Sequence, residues 1–197
     1  MTAKVILNPY SNRWNAQKRW GEAEAALRSA GVDFELAVSK GPGDIAELTR
    51  QAIRDGFSPL IAAGGDGTIG EMVNALAHAS ENSDQITPVG VLPMGTANDL
   101  AYALKIPFDL GEAAKVIASG KVRPMDLGKA NDIYFANNSA LGLEPYVTVI
   151  QSKITWIKGI AISCFGSACN YGSPNLECAS RMGWWAICWT DFFDLYW

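Results

Sequence analysis

The sequence predicts an α/β domain built on a parallel sheet with helices on both faces. Two observations carry this. From Lys4 to about Ser139, short apolar runs alternate with amphipathic stretches at helical spacing. Twice in that stretch an apolar run passes through a glycine turn directly into a helical pattern, as a βα unit does. With 197 residues, 49% of them apolar and 18% charged, the chain can bury a sizeable core, and global disorder is excluded.

The elements follow in order. Lys4–Pro9 reads as the first strand, with Asn8-Pro9 marking its exit. Trp14 to Ala30 is charged, alanine-rich and helical in spacing, and Gly31 is its stop. Asp33–Ser39 is the second strand. Pro42-Gly43-Asp44 then opens a helix through Arg54, with Asp44 as the expected N-cap and Gly56 beyond the end. Leu60–Ala63 is a strand, followed by a glycine turn and a helix through His78. Val89–Leu92 repeats the pattern of strand, turn and helix start. Leu110–Ser119 is a further short helix, and Val122–Ala130 and Ile133–Ser139 are strand-like. In such sheets ligands bind at the carboxyl ends of the strands, where both glycine turns fall.

Sixteen basic against 20 acidic side chains give a net charge of −4, so there is no basic footprint for nucleic acid. Met1–Pro9 carries no signal-peptide apolar region, and no window reaches the roughly 18 apolar residues of a membrane span. A cytoplasmic protein is expected. His78, the single histidine, is assigned a structural or solvated role. Arg13, Lys18 and Arg19 flank Trp14 and Trp20 and read as a solvated helix face, with a phosphate contact from Arg13 as the lesser reading.

The first turn is Gly64-Gly65-Asp66-Gly67-Thr68. Its glycines let a backbone approach a ligand closely, and the free N–H groups of the following helix start favour an anion such as phosphate. Thr68 can add a hydroxyl donor, and Asp66 a carboxylate for hydrated magnesium or a proton network. A tight βα turn capped by Asp66 or Thr68 is the equally open alternative. Gly65 to Gly70 also satisfies GxGxxG, but it follows the third strand, and Asp84 sits in a polar loop, so a dinucleotide fingerprint is poorly matched. The P-loop pattern is absent. The second turn, Pro93-Met94-Gly95-Thr96-Ala97-Asn98-Asp99, again brings glycine, threonine and a carboxylate to a strand end. The two turns could clamp opposite sides of one polyphosphate; a helix N-cap by Asn98 or Asp99 is the plainer reading.

Taken together, Gly64–Thr68, Pro93–Asp99 and the opening strand with its Asn8-Pro9 exit resemble the diacylglycerol kinase catalytic domain family. That family includes bacterial lipid kinases and sphingosine kinases and is related to NAD kinases and phosphofructokinases. The resemblance implies ATP bound across the turns, with Gly64, Gly65, Asp66, Gly67 and Thr68 around the phosphates. It places Gly95, Thr96, Asn98 and Asp99 on the same cleft, and Ser39 where the family often has a nucleotide-contacting hydroxyl. Mg2+ would neutralise the phosphates while a lipid hydroxyl, diacylglycerol-like, attacks the γ-phosphoryl group in line. Asp66 is the residue expected nearest the chemistry. Glu71 is retained from the family pattern, Gly70 stands where asparagine is usual, and Gly142-Leu143-Glu144 takes the place of a Gly-Phe-Asp-like segment. The implied partners are ATP, a lipid alcohol and a transient membrane surface. An NAD kinase-like phosphotransferase and a non-catalytic nucleotide-binding module remain as alternatives.

The expected organisation is a nucleotide-binding domain over 1–130, the start of a β-rich domain over 131–162, and an aberrant tail over 163–197. All four cysteines and four of the seven tryptophans lie after Ala161, a change of statistics within one chain. The cysteine gaps fit no common zinc spacing. Read one nucleotide out of frame, Arg181-Met182-Gly183-Trp184-Trp185 becomes Trp, a variable residue and Gly-Gly, and permitted codons continue into a strand-like run. The expectation is a slip near Ile160–Ser167 and a truncated kinase of little activity. A genuine tail whose aromatic end meets a membrane surface is the alternative.

Overall fold

Short apolar runs, rich in alanine and branched residues, form the centre of the molecule because burial on both faces leaves no place for polar side chains. The computed structural model describes residues 2–81 and 87–137, which lie in a unit spanning Met1–Asn138. In chain order the elements are β1 (Ala3–Leu7), α1 (Asn15–Ser29), β2 (Phe34–Val38), α2 (Asp44–Arg54), β3 (Leu60–Gly64) and α3 (Asp66–Ser80). They continue with β4 (Val89–Pro93), α4 (Asp99–Ala103), α5 (Leu110–Ala118), β5 (Gly128–Ala130) and β6 (Ile133–Phe135). Of the expected β-rich part over 131–162 only residues 131–137 are described; Gly142–Glu144 and the tail over 163–197 lie outside the described residues.

A four-stranded sheet has the order β2-β1-β3-β4, and every neighbouring pair is parallel. Period-two alternation sorts its side chains. Val5 and Leu7 of β1, with Ile61 and Ala63 of β3, pack against Ala16, Ala23 and Leu27 of α1 and Leu110, Ala113 and Ala114 of α5. Ile6, Leu60 and Ala62 pack on the other face against Ile45 and Ala52 of α2, Ile69 and Met72 of α3, and Leu100 and Ala101 of α4. Helices on both faces of a parallel sheet are thus the architecture the sequence predicts. Truncating a fully buried side chain such as Leu92 would cost about 2–5 kcal/mol.

From β1 the chain moves to β2 on one side and then crosses to β3 on the other. Consequently α1 and α3 leave neighbouring strands on opposite faces of the sheet. The carboxyl ends of β1 and β3 therefore flank the topological switch point, where doubly wound folds open a crevice.

Several boundaries differ from the sequence reading. Trp14 is not helical: Asn12, Arg13 and Trp14 have φ of 53°, 54° and 70°, one turn of left-handed backbone before α1 begins. Gly43, at φ 81°, is the N-cap of α2, while the Asp44 carboxylate reaches back to accept from the Lys40 N–H at 2.7 Å. Of the strand-like run over 122–130, only Gly128–Ala130 pairs, antiparallel with β6. This hairpin straddles the expected boundary at residue 130. His78 ties it to α3, with Nε2 2.9 Å from the Asp132 carbonyl and Nδ1 3.6 Å from Glu81.

Candidate nucleotide-binding site

At the end of β1, alternation aims Asn8 to the Ile6 side of the sheet, toward α3. Its Nδ2 donates to Thr68 Oγ1 at 3.1 Å, and its Oδ1 accepts from the Tyr10 N–H at 3.0 Å. Ser11 Oγ lies 3.3 Å from the same threonine hydroxyl. Asn8, Ser11 and Thr68 are all buried. A buried polar group without a partner is costly, so this three-residue knot fixes the β1 exit loop to the first turn of α3. The left-handed turn at Asn12–Trp14 follows at once. Such backbone costs about 1–2 kcal/mol per residue for side chains other than glycine. Asn12 Oδ1 also accepts from Thr96 Oγ1 at 3.3 Å, so the loop touches the second glycine turn as well.

Gly64 is required by contact. A Cβ there would lie 2.3 Å from Thr68 Oγ1 and 2.7 Å from its Cβ, so the threonine sits on the glycine. Thr68 is consequently not an open donor at the cleft surface; its hydroxyl belongs to the knot. Gly65 is the extended N-cap of α3 and supplies no side-chain cap. Among the described residues no side chain caps the start of this 15-residue helix, the condition in which a helix start takes an anion.

The two turns lie side by side. Gly64 pairs with Pro93 in the β3–β4 register, and the Met94 N–H donates to the Gly64 carbonyl at 2.9 Å. A Cβ on Gly95 would fall 2.3 Å from Gly65 Cα. They form one continuous rim. Asp66 Oδ1 crosses between them, accepting from the Leu100 N–H at 3.0 Å and so capping α4. Neither Asn98 nor Asp99 makes that cap. Asn98, left-handed at φ 56°, turns its side chain back onto Gly95 instead.

Gly64, Gly65, Asp66, Gly67, Thr68, Gly95, Thr96 and Asn98 thus come together on one rim, with Asp99 exposed at the start of α4. Ser39 stands just beyond β2, buried, its hydroxyl donating to the Gly41 carbonyl at 3.2 Å. Glu71 is engaged by α2: its carboxylate accepts from the Ala46 N–H at 3.0 Å in the first turn of that helix. Burial pushes the Glu71 carboxyl above its usual range, against the pull of that N–H. Asn8, Ser11 and Asn12 also belong to this rim, and the candidate residues read from the sequence do not include them, because Asn-Pro signals a strand exit and not the direction of the asparagine side chain. Extending the alternation of β1 by one residue would have placed Asn8 toward α3.

Among the described residues no group of three or more histidine, cysteine or acidic side chains could hold a metal ion. No described helix is long and apolar enough to cross a membrane.

Comparison with known proteins agrees with this fold. The model of the diacylglycerol kinase catalytic domain matches residues 2–130. A diacylglycerol kinase of Bacillus subtilis (strain 168) is 38% identical over 159 residues, 80% of this chain and 51% of that protein. One of Staphylococcus aureus (strain MRSA252) is 36% identical over 140 residues, 71% of this chain and 43% of that protein. The solved structure of a diacylglycerol kinase from Bacillus anthracis str. Sterne superposes with a TM-score of 0.59 at 28% identity, covering 68% of this chain and 45% of that one. The chain spans about half the length of the curated relatives it matches. Sheet order, paired glycine turns and sequence similarity converge on one assignment: the chain belongs to the diacylglycerol kinase catalytic domain family.

Proposed function

We propose that this chain carries the nucleotide-binding part of an ATP-dependent lipid kinase whose phosphoryl acceptor is a lipid hydroxyl of the diacylglycerol class. The observation that supports it most directly is the uncapped start of α3, lying beside the second glycine turn at the switch point of the sheet. A polyphosphate laid along this rim would meet the N–H groups of Asp66 and Gly67 from one turn and Thr96 from the other. In the transfer, the acceptor oxygen bonds to the γ-phosphorus, the bond to the β,γ-bridging oxygen breaks, and ADP leaves as the acceptor loses its proton.

The donor set suits magnesium. That ion is commonly held by one or two carboxylates plus substrate phosphates rather than by an all-protein cage. Asp66 and Asp99 are the carboxylates of the two turns. One Asp66 oxygen is engaged by the Leu100 N–H, which leaves the other for the ion. When bound, the ion supplies neutralisation of phosphate charge.

The test is titration of the chain with ATP and Mg2+, followed by calorimetry and thermal unfolding, with diacylglycerol and NAD offered as acceptors in a radiolabel assay. Saturable ATP binding that disappears in Asp66→Ala is the expected result, with lipid labelled weakly if at all and NAD not labelled. Transfer to NAD would reassign the acceptor. Absence of ATP binding would remove the proposal.

A further inference from the structure

Gly95 has its N–H and C=O bound by a single side chain. Asn98 Oδ1 accepts from the Gly95 N–H at 2.8 Å, and Asn98 Nδ2 donates to the Gly95 carbonyl at 3.0 Å. The asparagine is 8% exposed and sits in the left-handed region, which asparagine tolerates better than most residues. Both ends of its amide are spent on one glycine, so the side chain has little left to offer a ligand.

What Gly95 does explains why it is held so closely. Its Cα packs on Gly65, the N-cap of α3, with no room for a Cβ on Gly95. The position of Gly65 sets where the first N–H groups of α3 point. Asp66, the next residue, closes the loop by capping Leu100, two residues beyond Asn98. The circuit therefore runs Asn98 to Gly95, Gly95 to Gly65, Gly65 to Asp66, and Asp66 back to the start of α4.

From this circuit we infer that Asn98 is a positioning residue for the polyphosphate, acting through Gly95 on the anion-binding start of α3 without touching the ligand. The inference rests on the nucleotide-binding reading proposed above. A residue that positions the phosphate cradle acts on ligands in proportion to the phosphates they place there. A residue that merely supports the fold weakens all ligands alike.

Three variants of the full chain separate the possibilities. Asn98→Gly keeps the left-handed backbone and removes both hydrogen bonds. Asn98→Asp keeps the acceptor for the Gly95 N–H but sets a carboxylate oxygen against the Gly95 carbonyl. Asn98→Ala removes both bonds and strains the backbone. Each is titrated with AMP, ADP and ATP in the presence of Mg2+, with thermal midpoints and the amide exchange rates of Gly95 and Leu100 measured in parallel.

For Asn98→Gly the expected result is about a tenfold loss of ATP affinity, equivalent to about 1.4 kcal/mol. AMP should change less than twofold, Gly95 amide exchange should quicken, and the fold should persist. Asn98→Asp should fall between Asn98→Gly and the parent chain. Should Asn98→Ala fail to fold, the glycine and aspartate variants still decide the matter. Equal losses for AMP and ATP, or ATP affinity unchanged in Asn98→Gly, would overturn the positioning role while leaving the nucleotide site intact. Failure of the parent chain to bind any of the three nucleotides would overturn both readings.

Discussion

Replacing Gly95 by alanine tests the joint between the two glycine turns. The added Cβ would stand 2.3 Å from Gly65 Cα and 2.7 Å from Asn98 Oδ1. Carbon atoms in contact prefer about 3.5–4.0 Å, so the turns must part by about 1.2–1.7 Å. Overpacking costs about 1–3 kcal/mol, and the upper end applies because the obstacle is backbone rather than a side chain that can rotate. At about 2–4 °C per kcal/mol, Gly95→Ala should lower the thermal midpoint by about 6–12 °C. Gly67 provides the contrast, because a Cβ there meets nothing within 4 Å. In the first turn of α3, Gly67→Ala should stabilise by about 0.5–1 kcal/mol through helix propensity. Yet its methyl group stands beside the N–H groups that would receive a phosphate, so ATP affinity should fall. Scanning calorimetry with and without ATP reads both quantities. A parent-like midpoint for Gly95→Ala, or a Gly67→Ala variant that is destabilised and binds ATP normally, would refute the geometry.

Three further outcomes are expected. Thr68→Val keeps the shape but leaves the Asn8 amide without its acceptor, costing about 1–3 kcal/mol in urea unfolding, whereas Thr68→Ser should retain most of the stability. A valine variant as stable as the parent chain, with serine the less stable of the two, would mean that the methyl group, not the hydroxyl, matters. Glu71→Gln keeps an acceptor for Ala46 and removes a buried charge. Because the folded carboxyl titrates above its ordinary 4.5, the native state binds its proton more tightly, and the wild type loses stability relative to the variant as pH rises through that range. Parallel pH profiles of the two proteins would exclude this. Glu81 behaves oppositely: the Tyr134 hydroxyl and Lys129 hold its carboxyl down to about 2. Its contribution is present above the ordinary 4.5 and is lost as pH falls toward 2, so Glu81→Gln should flatten acid unfolding in that window.

Legibility differed by the range of the interaction. The glycine turns, the helix starts near Asp44 and Leu110 and the apolar strands announce themselves in spans of a few residues, because turn chemistry and periodicity are local. Helical spacing puts the start of α1 at Trp14, one residue early, because the left-handed approach runs through Asn12, Arg13 and Trp14, none of them glycine. Such backbone persists only where surroundings enforce it, and here the Thr68 knot and Thr96 contact the loop. Asn98 and Asp99 were both sound candidates for the α4 cap by residue type, yet Asp66 from another turn took the place.

The sequence by itself determined the alternation of strands and helices, the parallel sheet and the two glycine turns at strand ends, since each depends on residue pattern within one element and its exit. Tertiary structure alone decided where the polar side chains of those turns are directed. Asn8 meets Thr68 across 60 positions, Asp66 meets Leu100 across 34, and Glu71 meets Ala46 across 25. No local preference specifies such partners. They are selected when burial removes water and each donor or acceptor must find a protein group in its place, which is also what joins the two turns into one rim.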